Sequence, residues 1–476
     1  MGSTKIGQLA QDLAKSNPWW KNPQWALLDP DLKAVKATGM NYRSGALDRL
    51  EKGSLYILRG PRRVGKTVAV KQCINDLLTS GVPETCIVRI STDGWEAKDL
   101  KNVIGRTTLP PMPNDQTRYW FIDEVSAVKG DWAHEIKGLR DEDLEFREAT
   151  VVLTGSNARS LTEAAGPLAG RRGSATNLDR NLFPMGFASF VQIVGKDPIP
   201  PKPVIPVSGL RSNEATQAYL SLFPWLDDLV DLWEKYVTYG GFPTAVAAAK
   251  AGQVIPPAFV DSLFDVISND TFVTSNLDTS KEMALLERLW ASIASPLSIT
   301  NVARDVGISH DSVTRHLEYL RDSLLLWKCS KRAQNQWLPR GRAQDKFYAV
   351  DPIIARLSHL RNPVRQDIDI TILTEMMVGQ ALRRRIVADS LSTPQDEFLF
   401  YITSSNRKEI DFVCELLSGT AIEGKYCEDG GWRGEAATVN ASEWDGIMVT
   451  RNVLDTSSTD TAWAVPAGIL CYLLDT

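Results

Sequence analysis

The feature that most constrains the fold is the octapeptide GPRRVGKT, which spans Gly60 to Thr67. It follows the short apolar run SLYILRG and opens a helical pattern that ends at Gly81. In such a strand–loop–helix unit, loop N–H groups and the helix N-terminus surround phosphate groups. Lys66 then reaches the β- and γ-phosphates, and the Thr67 hydroxyl ligates Mg²⁺. The motif predicts an ATP-binding loop composed of Gly60, Pro61, Arg62, Arg63, Val64, Gly65, Lys66, Thr67 and Val68.

Three further apolar runs predict strands that accompany this loop. They are residues 85–91 (TCIVRIS), 118–124 (RYWFIDE) and 149–156 (ATVVLTGS). Helical stretches separate them, and strands that alternate with helices are typical of a parallel sheet with right-handed crossovers. We therefore predict an α/β fold for the first part of the chain.

Polar residues end two of these strands. Asp123 and Glu124 end the third strand, and we predict that Asp123 holds the Mg²⁺ shell while Glu124 polarises the attacking water. Ser156 and Asn157 end the fourth strand, where a group that senses the γ-phosphate is expected. The sequence does not separate these two residues. A surface acidic pair and a plain strand-to-turn transition are the alternative interpretations.

Length and composition exclude several classes of protein. A chain of 476 residues, 43% hydrophobic and 23% charged, is expected to form about two to four globular domains. A net charge of −5 excludes a wholly basic nucleic-acid coat but allows a local basic groove. Six scattered cysteines and four histidines argue against a zinc site. No apolar run reaches the roughly 18 residues that span a bilayer, and residues 1–20 lack the continuous apolar stretch of a signal peptide. We therefore expect no membrane association, and the scattered cysteines favour the reducing cytoplasm.

Changes in composition along the chain predict six segments. They are an N-terminal Trp- and Pro-rich segment (1–45), an ATPase domain (46–194), a Pro-rich linker or insertion (195–211), a helical lid (212–292), a winged helix (293–335) and a mixed α/β nuclease-like domain (336–476).

The winged-helix prediction rests on two helical patterns that flank a tight turn at residues 307–309. Val313, Leu317 and Leu320 recur at helical spacing and are expected to face the core. The outward set is then Ser309, Asp311, Ser312, Thr314 and Arg315, where a recognition helix meets DNA. Candidate DNA contacts are Ser309, Thr314, Arg315, Lys328, Lys331, Arg332, Arg340 and Arg342, and Lys346 ends this basic stretch. A winged helix used only for packing or for a partner protein is the alternative.

A third constellation lies near the C-terminus. Glu375 occurs on a helical pattern, Asp411 ends an alternating run, and Glu423 and Lys425 follow on the next strand. Period two places residues 423 and 425 on one face. This is the arrangement of restriction-endonuclease-like nucleases, in which Asp411 and Glu423 share Mg²⁺ and Lys425 orients the water. The alternative is a degenerate domain in which the same charges form salt bridges.

Several motifs together resemble a prokaryotic family of AAA+ ATPases. They are GPRRVGKT, FIDE, TGSN, AGRR, LFPMGFASF, YGGFP, NPWW and KFYAVDP. The resemblance implies a P-loop AAA+ parallel sheet with a helical lid, a winged helix and a C-terminal nuclease-like domain. It also implies that Arg171 or Arg172 reaches a neighbouring subunit's γ-phosphate, and hence a homo-oligomer, expected to be a hexameric ring. The 195–211 insertion departs from the pattern, so we assign no lid residue.

The leading functional hypothesis is an oligomeric motor or remodeller that hydrolyses ATP with Mg²⁺ and acts on DNA, including branched or junction DNA. A nucleotide-dependent signalling switch with a protein partner and an ATP-licensed defence nuclease are the alternatives. Stimulation of hydrolysis by DNA separates the first from the second, and metal-dependent cleavage identifies the third.

Overall fold

The computed structural model of the protein describes residues 13–107, 109–155, 158–201, 203, 205–275, 279–334, 336–389, 398–403, 408–428, 431–440, 442–457 and 462–475. The chain divides into two compact units, Met1–Phe183 and Pro184–Thr476, here called the N-terminal unit and the C-terminal unit. The predicted ATPase segment 46–194 extends past this division.

Five parallel strands form the sheet of the N-terminal unit in the order β2-β3-β4-β1-β5. They are β1 (Leu55–Arg59), β2 (Ile87–Ser91), β3 (Tyr119–Asp123), β4 (Thr150–Thr154) and β5 (Asp179–Asn181). Every residue of β3 and β4 is buried, as expected where helices cover both faces of a parallel sheet. The prediction of a parallel α/β sheet is confirmed, and β5 is the strand that the sequence did not indicate.

Short helices connect and precede these strands. They are α1 (Trp25–Leu28), α2 (Pro30–Ala37), α3 (Lys66–Thr79), α4 (Ala97–Arg106), α5 (Trp132–Glu142), α6 (Leu144–Glu148) and α7 (Ala158–Glu163). Helix α3 begins at the last residues of GPRRVGKT, as predicted, and Gly81 follows it with φ +91°. A positive φ is accessible to glycine without strain, so Gly81 allows the chain to leave the helix.

Side chains of the N-terminal segment form hydrogen bonds with the backbone of strand β2. The Asn17 side-chain amide donates to the Arg89 carbonyl (2.9 Å) and accepts from the Arg89 N–H (2.6 Å). The indole N–H groups of Trp19 and Trp20 both donate to the Ile87 carbonyl, at 3.1 and 2.9 Å. The residues of NPWW are therefore part of the N-terminal unit.

An eight-stranded mixed sheet organises the C-terminal unit in the order β13-β12-β11-β10-β9-β7-β8-β6. The strands are β6 (Pro296–Leu297), β7 (Leu326–Lys331), β8 (Asp345–Ala349), β9 (Phe400–Thr403), β10 (Glu409–Val413), β11 (Thr420–Gly424), β12 (Asp445–Thr450) and β13 (Ala462–Pro466). Strand β7 pairs with β8 on one side and with β9 on the other. The predicted boundary at 335/336 therefore lies between two paired strands of one sheet.

Helices cover this sheet and extend from it. They are α8 (Phe187–Val194), α9 (Asn213–Leu222), α10 (Leu226–Tyr239), α11 (Pro243–Lys250), α12 (Pro257–Ser275), α13 (Thr279–Trp290), α14 (Ile299–Val306), α15 (His310–Asp322), α16 (Pro352–Arg361), α17 (Ile370–Asp389), α18 (Trp432–Asn440) and α19 (Ala467–Leu474). Part of the Pro-rich stretch 195–211 is packed into this unit, since Ile205, Val207 and Leu210 are buried. None of the helices in the described residues is long and apolar enough to cross a membrane.

Two of the sequence motifs meet through a buried carboxylate. Asp351 of KFYAVDP accepts from the backbone N–H of Gly241 in YGGFP (2.7 Å) and from that of Ile353 (2.9 Å). A Cβ at Gly241 would lie 2.0 Å from the Met185 carbonyl oxygen, so only glycine fits this approach. Burial raises the pKa of Asp351 to about 6, although both backbone bonds lower it. These motifs serve the packing of the C-terminal unit.

Candidate functional site

The loop between β1 and α3 has the geometry of a phosphate cradle. A Cβ at Gly60 would lie 2.4 Å from the Leu182 carbonyl oxygen, and Gly65 has φ +102°. Both positions therefore require glycine. Arg63 also has a positive φ, of 63°, while the Arg62 and Arg63 side chains are exposed and Pro61 and Val64 are buried. The strand, loop and helix N-terminus thus occur in the order that the sequence predicted.

Lys66 is buried at the centre of this loop, with 7% exposure. Its ammonium group donates to the carbonyl oxygens of Gly60 (2.8 Å) and Pro61 (3.0 Å). Burial lowers the pKa of Lys66 to about 8, and the charges of Glu124 and Asp123 partly oppose that effect. The Gly60 and Pro61 carbonyl groups that accept from the ammonium are neutral, so its positive charge is available to an anion.

Asp123 lies at the end of β3, beside the loop, and is buried. It accepts a hydrogen bond from the Arg89 guanidinium (2.7 Å) and another from the Thr154 hydroxyl. Sequence reasoning missed Arg89 and Thr154. The signal was their position, because both lie on strands that neighbour β3 in the sheet.

Glu124 follows Asp123 in a left-handed backbone conformation, with φ +58°. For a non-glycine residue this conformation is uncommon and costs free energy. Its N–H donates to the Thr154 hydroxyl at 3.4 Å. Such strained positions are concentrated at functional sites. The catalytic role of Glu124 stays a prediction.

The predicted sensor residues Ser156 and Asn157 lie outside the described residues. The residue before them, Gly155, contacts the loop after β3, because a Cβ there would lie 2.4 Å from Ser126 Oγ. The end of β4 is thus adjacent to the residues that follow Glu124.

The two arginines proposed as fingers differ in their surroundings. Arg172 pairs with Asp179 at 2.8 Å and donates to the Leu55 carbonyl at 3.3 Å, with only 11% of its side chain exposed. Arg171 pairs with Asp141 at 2.8 Å and has 33% of its side chain exposed. Of the two side chains, that of Arg171 is therefore the more exposed. The finger role itself stays a prediction.

The C-terminal constellation assembles in one place around strands β10 and β11. Glu423 Oε2 accepts from the Asp411 N–H, and Asp411 Oδ2 accepts from the Gly424 N–H, each at 3.0 Å. Lys425 Nζ lies 2.9 Å from Glu423 Oε1. Glu375 of α17 lies in the same group, where its Oε1 accepts from the Tyr348 hydroxyl (2.7 Å). We call this set, with Glu409 and Lys346, the carboxylate cluster.

Lys346 was expected in the surface basic stretch, and that expectation is wrong. Its side chain is 1% exposed and its Nζ lies between Glu375 (3.1 Å), Glu409 (2.5 Å) and Asp411 (3.2 Å). Strand alternation on β8 explains the difference, because residues 346 and 348 share the inward face.

Burial and like charges dominate the electrostatics of the carboxylate cluster. Burial, and then the charge of Asp411, raise the pKa of Glu375 and of Glu423 to about 8. Burial lowers the pKa of Lys346, but the charges of Asp411, Glu375 and Glu409 outweigh it, so the net shift is upward. In the described part of the chain, no three His, Cys, Asp or Glu side chains are arranged to hold a metal ion.

The candidate DNA contacts are spread over helix α15 and the β7–β8 hairpin. Arg315, Arg340 and Arg342 are exposed. Arg332 instead stacks on the Trp337 ring (4.2 Å), and Lys331 lies 5.9 Å from the Tyr401 ring.

The remaining candidates are engaged in local contacts. Ser309 caps α15 by accepting from the Ser312 N–H, and the Thr314 hydroxyl donates to the His310 carbonyl. Lys328 lies 4.0 Å from Asp345. Ser312, expected to point outward, is buried, because it lies one helical turn from the buried His316, whose ring nitrogen contacts its carbonyl at 2.7 Å.

Residues 52–191 match the family model of the AAA domain. This segment, which contains all five strands of the N-terminal sheet, is similar to AAA domains. Residues 230–363, from α10 to α16, match a domain of unknown function (DUF8612). No curated protein matches the chain at a significant level.

Three of the solved structures that match the chain have low sequence identity and low TM-scores. The Walker-type ATPase of Pyrococcus abyssi is 13% identical, with 64% of this chain and 91% of that chain covered and a TM-score of 0.34. RuvB of Thermotoga maritima is 15% identical, with 62% and 85% covered and a TM-score of 0.27. The ORC2 protein of Aeropyrum pernix, solved as ADPNP–ADP complexes, is 11% identical, with 71% and 95% covered and a TM-score of 0.32.

Proposed function

We propose that the N-terminal unit binds and hydrolyses ATP and that the chain works as an oligomeric motor or remodeller on DNA. The observation that carries the ATPase proposal is the buried Lys66 ammonium, which two loop carbonyls hold at the N-terminus of α3. A helix N-terminus and a buried cation together form a site for a polyphosphate.

The residues around this loop fit ATP with Mg²⁺. Gly60 and Gly65 leave the backbone open to close approach, and the Thr67 and Asp123 oxygens are of the type that Mg²⁺ prefers. The metal ion, when bound, neutralises charge on the phosphates. In this chain, Lys66 binds phosphate oxygens and Glu124 orients and polarises the attacking water.

Assembly into a ring, expected to be hexameric, is proposed from the AGRR segment. An arginine supplied by a neighbouring subunit stabilises the charge that develops during phosphoryl transfer. Arg171 suits this role better than Arg172, whose guanidinium is bound to Asp179 and to a strand carbonyl. Light scattering with a non-hydrolysable ATP analogue tests this step, and a strict monomer with full activity would refute it.

DNA as the partner is proposed from the shape and charge of residues 296–349. The short strand β6, helices α14 and α15 and the β7–β8 hairpin follow one another in the element order of a winged helix, and β6 pairs with β8. Exposed Arg340 and Arg342 on the hairpin and Arg315 on α15 offer phosphate contacts. The strand order around β9–β13, with α17 before it, supports the proposal of a nuclease-like fold. We propose that this fold binds DNA without robust cleavage.

The test compares ATP hydrolysis without DNA and with single strands, duplexes and four-way junctions. Stimulation by DNA in the wild type, reduced in the double variant Arg340→Ala with Arg342→Ala, is the expected result. Arg433→Ala is the matched control, because Arg433 is an exposed arginine on α18. Hydrolysis that no DNA stimulates would favour the signalling switch.

Cleavage is tested separately with Mg²⁺ or Mn²⁺ and duplex or branched DNA. We expect no robust cutting by the wild type. Cutting that the double change Asp411→Ala with Glu423→Ala abolishes, while ATP hydrolysis persists, would support the nuclease hypothesis instead.

A further inference from the structure

The carboxylate cluster contains a cation that belongs to the chain itself. Lys346 Nζ lies within 3.2 Å of Glu375, Glu409 and Asp411, which come from helix α17 and strand β10. The ammonium has three N–H groups, so it can donate one hydrogen bond to each of the three acidic side chains.

The sheet fixes Lys346 in this position. Strand β8 lies between β6 and β7, and residue 346 is in register with Pro296 on one side and Cys329 on the other. The ammonium lies 5.6 Å from the Tyr401 ring and 5.9 Å from the Tyr348 ring. Paired backbone on both sides and aromatic rings beside the side chain leave it little freedom.

All four oxygens of the two predicted metal ligands already accept from the chain. Asp411 uses one oxygen for Lys346 and the other for the Gly424 N–H. Glu423 uses one for Lys425 and the other for the Asp411 N–H. A metal ion that entered between Asp411 and Glu375 would have to displace the Lys346 ammonium.

We propose that Lys346 is an internal cation, which takes the place of a divalent metal ion between Asp411, Glu375 and Glu409, so that the native cluster does not bind Mg²⁺ or Mn²⁺. The tethered ammonium binds without the loss of translational entropy that a free ion incurs. Its removal leaves buried carboxylates without a counter-charge. Carboxylate oxygens are the ligands that a hard divalent cation prefers, so we expect them to close around such an ion once the ammonium is gone. This inference depends neither on ATP nor on DNA, so it stands or falls apart from the proposed function.

The experiment is thermal unfolding of the full chain without nucleotide, with EDTA or with millimolar Mn²⁺. Lys346→Met keeps the apolar stem and removes the charge. We expect its C-terminal unit to unfold roughly 10 °C lower than in the wild type in EDTA, and Mn²⁺ to restore most of that loss. Mn²⁺ should leave the wild type unchanged.

Two control variants test whether the stabilisation by Mn²⁺ arises at the position of the Lys346 ammonium group. Adding Asp411→Asn to Lys346→Met should abolish the rescue by Mn²⁺, because it removes an oxygen charge from the site. Lys425→Met removes the other lysine of the cluster and should gain no Mn²⁺ response. Lys346→Gln, a shorter neutral side chain, serves if the methionine variant does not fold.

Three outcomes overturn the proposal. The first is a Mn²⁺ response of the wild type that Asp411→Asn removes, because the native cluster then binds metal beside Lys346. The second is a folded Lys346 variant that Mn²⁺ does not stabilise. The third is failure of both Lys346 variants to fold even with Mn²⁺, since a replaceable cation requires rescue.

Discussion

Two buried lysines, Lys66 and Lys346, differ in the groups that accept hydrogen bonds from their ammonium groups, and this difference changes their electrostatic role. Lys66 is held by two carbonyl oxygens, and burial lowers its pKa to about 8. Lys346 is held by three carboxylates, which raise its pKa. Dipoles leave a positive charge available to a ligand, whereas carboxylates neutralise it. The first lysine therefore belongs to a binding site and the second to an internal ion network.

The largest expected effect is on hydrolysis at the N-terminal site. Glu124→Gln keeps the shape of the side chain but removes its ability to polarise water, so we expect the rate to fall roughly 1,000-fold while ATP still binds. Single-turnover hydrolysis and equilibrium binding of labelled ATP measure the two quantities. A normal hydrolysis rate would remove Glu124 from the mechanism.

Lys66→Ala tests whether the Lys66 ammonium group contributes to ATP binding. Loss of a charged hydrogen-bonding group should weaken ATP binding roughly 100-fold, or about 3 kcal/mol. Isothermal titration calorimetry measures the affinity. The matched control is Arg62→Ala, an exposed cation of the same loop, which should have a much smaller effect. Unchanged affinity in folded Lys66→Ala would contradict the site assignment.

The pH dependence of ATP binding should carry the signature of Lys66. As pH rises through about 8, the free protein loses the ammonium charge, whereas bound phosphate favours its retention. Affinity should therefore decline by up to about tenfold per pH unit above 8, with proton uptake on binding. Calorimetry in buffers of different ionisation enthalpy detects that uptake, and a flat profile from pH 7 to 9.5 would argue against it.

The last expected effect concerns protons bound by the carboxylate cluster, and it is measured as a slope of stability against pH. Burial, and then the charge of Asp411, raise the pKa of Glu375 and Glu423 in the folded chain to about 8, well above the ordinary range of a glutamate. The folded chain therefore keeps protons that the unfolded chain has released. The free energy of unfolding should then fall as pH rises between about 4.5 and 8, by at most about 1.4 kcal/mol per pH unit for each group. Glu423→Gln should flatten this slope.

Urea unfolding of the wild type and Glu423→Gln at pH 6 to 8 measures that difference. This window lies above the one in which Asp351 contributes, because its pKa is raised only to about 6. Identical slopes would show that Glu423 titrates normally.

The sequence predicted the structural features that depend on residues close together in the chain. GPRRVGKT fixes its own loop, and the strands of the N-terminal sheet follow from short apolar runs, so these features were predictable. Arg89 and Lys346 were not, because their partners lie on other strands: Asp123 is 34 residues from Arg89, and Asp411 is 65 residues from Lys346. Contacts between residues so far apart in the sequence depend on the order of the strands in the sheet.

A run of positive charges in the sequence led to the wrong prediction for Lys346. Lys346 follows Arg340 and Arg342 in the sequence, so a sequence pattern groups the three together. The Lys346 side chain faces inward from strand β8, whereas Arg340 and Arg342 lie in the loop between β7 and β8. The alternation of residues 346 and 348 was a usable signal, since Tyr348 is apolar enough to mark the inward face. The burial of Ser312 had no comparable signal.

The attachment of Asn17, Trp19 and Trp20 to β2 has a consequence for how the N-terminal unit stays apart from other chains. Strand β2 is at the edge of the sheet, and Ile87 and Arg89 are the alternate residues whose backbone groups face away from β3. An open edge of this kind recruits strands from other molecules. The side chains of the N-terminal segment occupy those backbone groups, so a fragment limited to the AAA match at 52–191 would expose a template for aggregation.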